Sequence, residues 1–88
     1  RKTRSINEKV NRWCRGADAN RNWSFRWGQI GATRSPCSNT YAGEHPLSEP
    51  EVVGLKEFIK NNVRNLKVYA SLHAYGQLLL SPWGYTSE

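Results

Sequence analysis

The sequence has no methionine, two cysteines and two histidines, and its 7 acidic residues face 13 basic ones. Each shortage excludes something. Cys14 and Cys37 match neither a CxxC redox motif nor a zinc-finger spacing, which leaves one disulfide or two free thiols. A bridge across that loop would add roughly 3 kcal/mol in the chain-entropy view and would imply an oxidising compartment. His45 and His73 belong to no HxxE or HxxH pattern. A catalytic zinc takes three protein ligands and an open position, so this chain alone cannot complete one. No apolar run approaches the length of a membrane span, which excludes a transmembrane helix. Neither an initiator Met nor an apolar signal segment stands at the start; the chain opens on RKTRS, as a piece cut from a longer protein would. Internal repeats and low-complexity tracts are also absent.

What remains is short and polar. With 38% hydrophobic residues and a mean hydropathy of -0.75, 88 residues bury a modest core. Such a chain is one domain or part of one, and it needs a staple, a partner or more chain. The charge is uneven. Through Arg34, nine basic residues stand against Glu8 and Asp18; from Ser35 onward, four stand against five acids. A basic first third fits either an anionic partner or a solvated basic surface.

Residues 1–16 are polar and basic with little periodicity. Residues 17–47 are rich in Gly, Ser, Asn, Thr and aromatics, and GATRSPCSNTYAGEHP predicts a long ordered loop. Ser48-Glu49-Pro50-Glu51 then fits a capping box with Ser48 as N-cap. Val52, Leu55, Ile59 and Val63 follow at helical spacing, widened by Phe58, which predicts an amphipathic helix over about 49–62. Glu49 and Glu51 read as first-turn acids favoured by the helix dipole rather than as a catalytic pair. In LKVYASLHAY, Leu66, Val68, Ala70 and Leu72 alternate with Lys67, Tyr69, Ser71 and His73, which predicts a two-faced strand. LLLSPW predicts a second, more apolar strand ended by Pro82. A helix leading into apolar strands predicts an α/β sandwich with a covered sheet.

Four groups of residues could carry chemistry. In ADANRNW, Asn20 and Arg21 offer an amide beside a planar fork of donors, suited to a carboxylate or a phosphate. His73 near a strand end reads as a zinc ligand or as an ordinary hydrogen-bonded histidine. Arg1, Lys2 and Arg4 are an anion-binding cluster or a solvated tail. Trp13, Trp23, Phe25 and Trp27, interleaved with Arg12, Arg15, Arg21 and Arg26, would suit stacking and phosphate contacts in a nucleic-acid module, or an ordinary core with flanking charge. Asn22-Trp23-Ser24 is a glycosylation sequon whose use would obstruct a pocket lined by Asn20 and Arg21.

Taken in order, RKTRS, Cys14, GADANRNW, GATRSPCSNTYAG, SEPEV and SLHAYGQLLLSPWGYT resemble the zinc metallocarboxypeptidases of the pancreatic carboxypeptidase A/B type. The resemblance runs the length of the chain, and Trp23 after the Asn-Arg-Asn run favours the A/B branch. It implies a three-layer α/β sandwich with a central mixed, mostly parallel sheet and helices on both faces, of which residues 1–88 would be the middle portion of a single catalytic domain. It implies one zinc ion with His73 as third ligand, the other two lying before residue 1. By the same resemblance, Arg1 matches the arginine that binds substrate and stabilises the developing oxyanion, Asn20 and Arg21 hold the substrate's terminal carboxylate, and Ala74 and Tyr75 line neighbouring subsites. The family usually has Ser at the position of Ala74, so contact there would be through the backbone. Cys14 and Cys37 match the family's disulfide.

The resemblance further implies a secreted, monomeric protein, an inhibitory propeptide in its precursor, and peptide or protein substrates with a free C-terminal carboxylate. The general base Glu would follow residue 88. Neither a nucleic acid nor a membrane is an expected partner. The alternatives are a catalytically inactive relative that binds peptide C-termini and a basic nucleic-acid-binding module.

Overall fold

The computed structural model describes residues 2–5 and 13–84. Its one long regular element is helix α1, Pro50–Asn62, one residue shorter at its start than the sequence predicts. Pro50 opens the helix, where a missing N–H is harmless and φ is already suitable. The N-cap is Glu49, not Ser48, and Glu49 makes no side-chain cap bond. The capping box fails because the Ser48 hydroxyl is engaged elsewhere, accepting from Asn22 Nδ2 at 2.9 Å. At the other end Val63 turns extended while its N–H still bonds Ile59 O at 3.0 Å.

Segment 2–5 lies against residues 16–17. Thr3 N donates to Ala17 O and Gly16 N to Ser5 O, both at 2.8 Å, and Ala17 N donates to Thr3 Oγ1 at 2.8 Å. Gly16 sits at φ +74°, and a Cβ there would collide with the Thr3 carbonyl oxygen. Gly16→Ala is therefore expected to cost about 2–4 kcal/mol, from left-handed strain plus displacement of segment 2–5. Denaturant unfolding measures it; a loss below about 0.5 kcal/mol would contradict the close approach.

The long loop is ordered as predicted. Thr33 and Tyr41 form an isolated parallel bridge, with Thr33 N on Thr40 O and Ala42 N on Thr33 O, each at 3.0 Å. Cys14 and Cys37 form a disulfide with their Cα atoms 4.7 Å apart, which ties the loop back to the residues before Gly16. Lys2 Nζ reaches the Pro36 carbonyl at 2.6 Å and lies 5.5 Å from the centre of the Tyr41 ring. Among the described residues the buried apolar ones are Ala17, Tyr41, Ala42 and Val52.

The expected strands are absent as paired strands among the described residues. Segments 66–73 and 78–81 have no ladder partners. Leu66, Val68 and Leu72, placed on one face by their alternation, are all exposed. A strand requires another backbone for its N–H and C=O groups, and no described segment supplies one. Along α1, Val52 is buried, Ile59 and Val63 are half-buried, and Leu55 and Phe58 are exposed. The apolar stripe predicted from spacing thus exists, and it is covered at one end only. No helix among the described residues is long and apolar enough to cross a membrane.

Candidate active site

The Asn-Arg-Asn run folds as a 3-10 turn, Ala19–Arg21. Asp18 begins it, its carboxylate accepting from Asn20 N at 3.0 Å, as a short acidic side chain does when it satisfies an orphan N–H. Asp18 N donates to Tyr41 O at 2.7 Å, which seats the turn on the buried tyrosine. Within the turn, Arg21 Nε donates to Gly31 O at 2.9 Å and Nη1 to Asn20 O at 3.3 Å. Two of the five guanidinium donors are thus held by backbone carbonyls. Three remain for a ligand, in a plane whose orientation is set.

Asn22 behaves unlike its neighbours. It is fully buried. Its Nδ2 donates to Ala42 O at 2.7 Å, to Ser48 Oγ at 2.9 Å and to His45 O at 3.2 Å, so one of its two hydrogens is shared. Its Oδ1 accepts from Glu49 N at 3.1 Å, and its carbonyl from Leu47 N at 2.7 Å. A side chain in these contacts has no room for a glycan, so the sequon is closed in the folded chain. The sequence shows a third polar residue in this run but not that it points inward. Ser48 and Glu49, its partners on the approach to α1, escape the sequence reading because their pattern matches an ordinary cap.

Asn20, Trp23, Ser71 and His73 line one groove of about 480 Å³, whose far wall is the apolar face of α1 from Val52 to Ile59. Arg21 lines an adjoining cavity of about 180 Å³ that shares Asn20 and Trp23 with the groove. The tertiary structure therefore brings Asn20 and His73, 53 positions apart in sequence, onto one surface, with the Arg21 fork beside them. Ala74 and Tyr75 follow His73, are exposed, and lie outside both linings. Arg1 lies outside the described residues. His73 Nε2 and Ser71 Oγ are 3.1 Å apart. As an imidazole in an open groove, His73 has the right chemistry for one zinc ligand. Among the described residues no three His, Cys, Asp or Glu side chains come together, so they do not make a metal site by themselves.

Burial raises the Tyr41 phenol above its ordinary value, and the nearby carboxylates Glu44 and Glu49 add to the shift. A raised folded-state value keeps its stability contribution below the unfolded value of 10.0 and loses it as pH rises through the folded one. Stability is therefore expected to hold to about pH 9 and to fall above about pH 10, with Tyr41→Phe removing that alkaline component. Thermal unfolding against pH measures it; an identical alkaline fall in Tyr41→Phe would sink the assignment.

The zinc carboxypeptidase family model matches residues 1–88. Carboxypeptidase B of Astacus astacus is 50% identical over 88 residues, which is 100% of this chain and 29% of that protein. Carboxypeptidase A6 of Homo sapiens is 47% identical over 85 residues, which is 97% of this chain and 19% of that protein. Among solved structures, bovine thrombin-activatable fibrinolysis inhibitor in complex with tick carboxypeptidase inhibitor superposes with a TM-score of 0.89 at 40% identity, covering 100% of this chain and 29% of that one. The chain spans less than a third of the length of these relatives. Its backbone follows a carboxypeptidase-type fold, and with a family match along every residue, the chain belongs to the zinc carboxypeptidases.

Proposed function

We propose that the protein carrying this chain is a zinc-dependent exopeptidase that hydrolyses the C-terminal peptide bond of peptides and proteins. The observation that supports it most is the joint lining of one groove by Asn20 and His73, with the anchored Arg21 fork alongside. Asn20 and Arg21 grip the substrate's terminal carboxylate through charge-assisted bonds, which an internal peptide bond cannot offer. That grip sets the scissile bond at a fixed distance from the chain end. His73 is one of three zinc ligands, the other two and the general base Glu coming from the rest of the parent protein. Zinc, when bound, polarises the scissile carbonyl and lowers the pKa of its water. Arg1 stabilises the charge that develops on that carbonyl oxygen, and Ala74 and Tyr75 flank the residues preceding the scissile bond.

In this reading residues 1–88 are the middle portion of one catalytic domain, a three-layer α/β sandwich. Segments 66–73 and 78–81 are strands of its mixed, mostly parallel sheet. The exposed apolar residues of those segments and of α1 support it, since they would be covered by the remaining strands and helices. The disulfide supports a secreted protein. A monomer with an inhibitory propeptide in its precursor completes the reading.

The test compares one peptide with a free C-terminus and with an amidated one. The purified parent protein is expected to release the terminal residue only from the first, to stop on zinc chelation, and to be inactive as His73→Ala. Equal cleavage of both peptides, or cleavage insensitive to chelation, would overturn the proposal. Tight binding of the free-carboxylate peptide without release would indicate a peptide-binding relative instead. The 88-residue chain alone is expected to release nothing, lacking two ligands and the base.

A further inference from the structure

We propose that Glu49 is a positioning residue for the carboxylate clamp, a role that rests on the reading of Asn20 and Arg21 given above. Glu49 is buried at the entrance to α1, only 3% exposed. Capping does not explain it, because its side chain makes no cap bond. Its Oε1 instead accepts from Ser5 Oγ at 2.9 Å, 44 positions away in sequence. Its backbone N–H donates to Asn22 Oδ1 at 3.1 Å. One residue therefore joins segment 2–5, which directly follows Arg1, to the residue that directly follows Arg21. Both segments meet again where Thr3 and Ser5 bond Ala17 and Gly16, just before the turn.

The arrangement is chemically unfavourable for stability alone. The second carboxylate oxygen, Oε2, is buried with no hydrogen-bond partner among the described residues. Burying a carboxylate with one oxygen unbonded is costly, and an apolar side chain of similar volume would avoid the cost. What an apolar side chain cannot do is bond Ser5 and so hold segment 2–5 in register with the turn that carries Asn20 and Arg21. The anchored Arg21 fork needs such a support, since its aim depends on a three-residue turn fixed at one end by Asp18 and at the other by Asn22.

The test is a double-mutant cycle in the purified parent protein, with an N-blocked dipeptide bearing a free carboxylate as substrate. Glu49→Ala is expected to raise KM roughly 10-fold while kcat stays within about 3-fold. Glu49→Gln, which keeps an oxygen for Ser5, is expected to restore most of that loss. In the Arg21→Ala background, Glu49→Ala is expected to add less than about 2-fold to KM, because the group it positions is gone. Full multiplication of the two effects would overturn the proposal and leave Glu49 a structural residue. If Glu49→Ala does not fold, Ser5→Ala removes the same Oε1 contact without touching α1, and the same non-additivity is expected of it. Arg21→Ala with an unchanged KM would strike down the clamp reading itself, and the Glu49 role with it, so the two failures are distinguishable.

Discussion

Arg21→Ala in the parent protein is expected to lower kcat/KM on free-carboxylate peptides by roughly 30- to 5000-fold, or about 2–5 kcal/mol. The argument begins with geometry. Two guanidinium donors are committed to Gly31 O and Asn20 O, so the fork cannot swing freely, and its other donors present a fixed plane. A carboxylate meeting that plane makes two parallel charge-assisted bonds, and truncation leaves the anion facing a groove without a cation. Arg21→Lys keeps the charge but loses both the fork and its backbone anchors, so it is expected to recover only a small part of the loss. The control is the amidated peptide, for which parent and variant are expected to be equally poor. A loss of equal size on both peptides would show that Arg21 supports the fold rather than the substrate.

Asn22→Asp is expected to destabilise the fold by about 3–5 kcal/mol, a large part of the roughly 5–15 kcal/mol by which a domain is stable. The substitution changes one atom in shape and everything in chemistry. The Nδ2 group donates to Ala42 O, His45 O and Ser48 Oγ; a carboxylate oxygen in its place donates nothing and carries charge into a fully buried site. Ala42 O would keep its bond from Trp27 Nε1 at 3.0 Å and His45 O that from Ser48 N at 3.2 Å, so the cost comes mainly from the buried charge rather than from orphaned carbonyls. Asn22→Ala, which removes the bonds without adding charge, is expected to cost less, about 2–4 kcal/mol. Denaturant midpoints of the two variants settle the order. A cost for Asn22→Asp below about 1 kcal/mol, or smaller than that of Asn22→Ala, would mean that the amide is not the tie it is drawn to be.

Particular residues show how far the sequence could be read. The stripe of Val52, Leu55, Ile59 and Val63 announces α1 to within a residue, because helical periodicity is a local property. Its cap is not legible locally, for the opposite reason. Ser48 has the right identity and spacing for an N-cap, yet its hydroxyl accepts from an amide 26 positions earlier, a competition that no local pattern reveals. Alternation in 66–73 shows which side chains share a face but not which backbone pairs with them, and among the described residues none does.

The motifs ADANRNW and SLHAY, read with their neighbours, are enough to identify the family, because particular side chains stand there in a particular order along the whole chain. The Cys14–Cys37 pairing was likewise available from resemblance, while spacing alone left free thiols open. That Asn20 and His73 share a groove, that Asn22 is fully buried beside an exposed Asn20, and that Glu49 ties Ser5 to the turn are matters of tertiary structure. The physical reason is range. Propensity and periodicity act over a few residues, whereas hydrogen-bond partnership and burial depend on which distant segments the fold brings within 3 Å, and three asparagine or glutamate side chains that look alike in sequence receive different roles from that proximity alone.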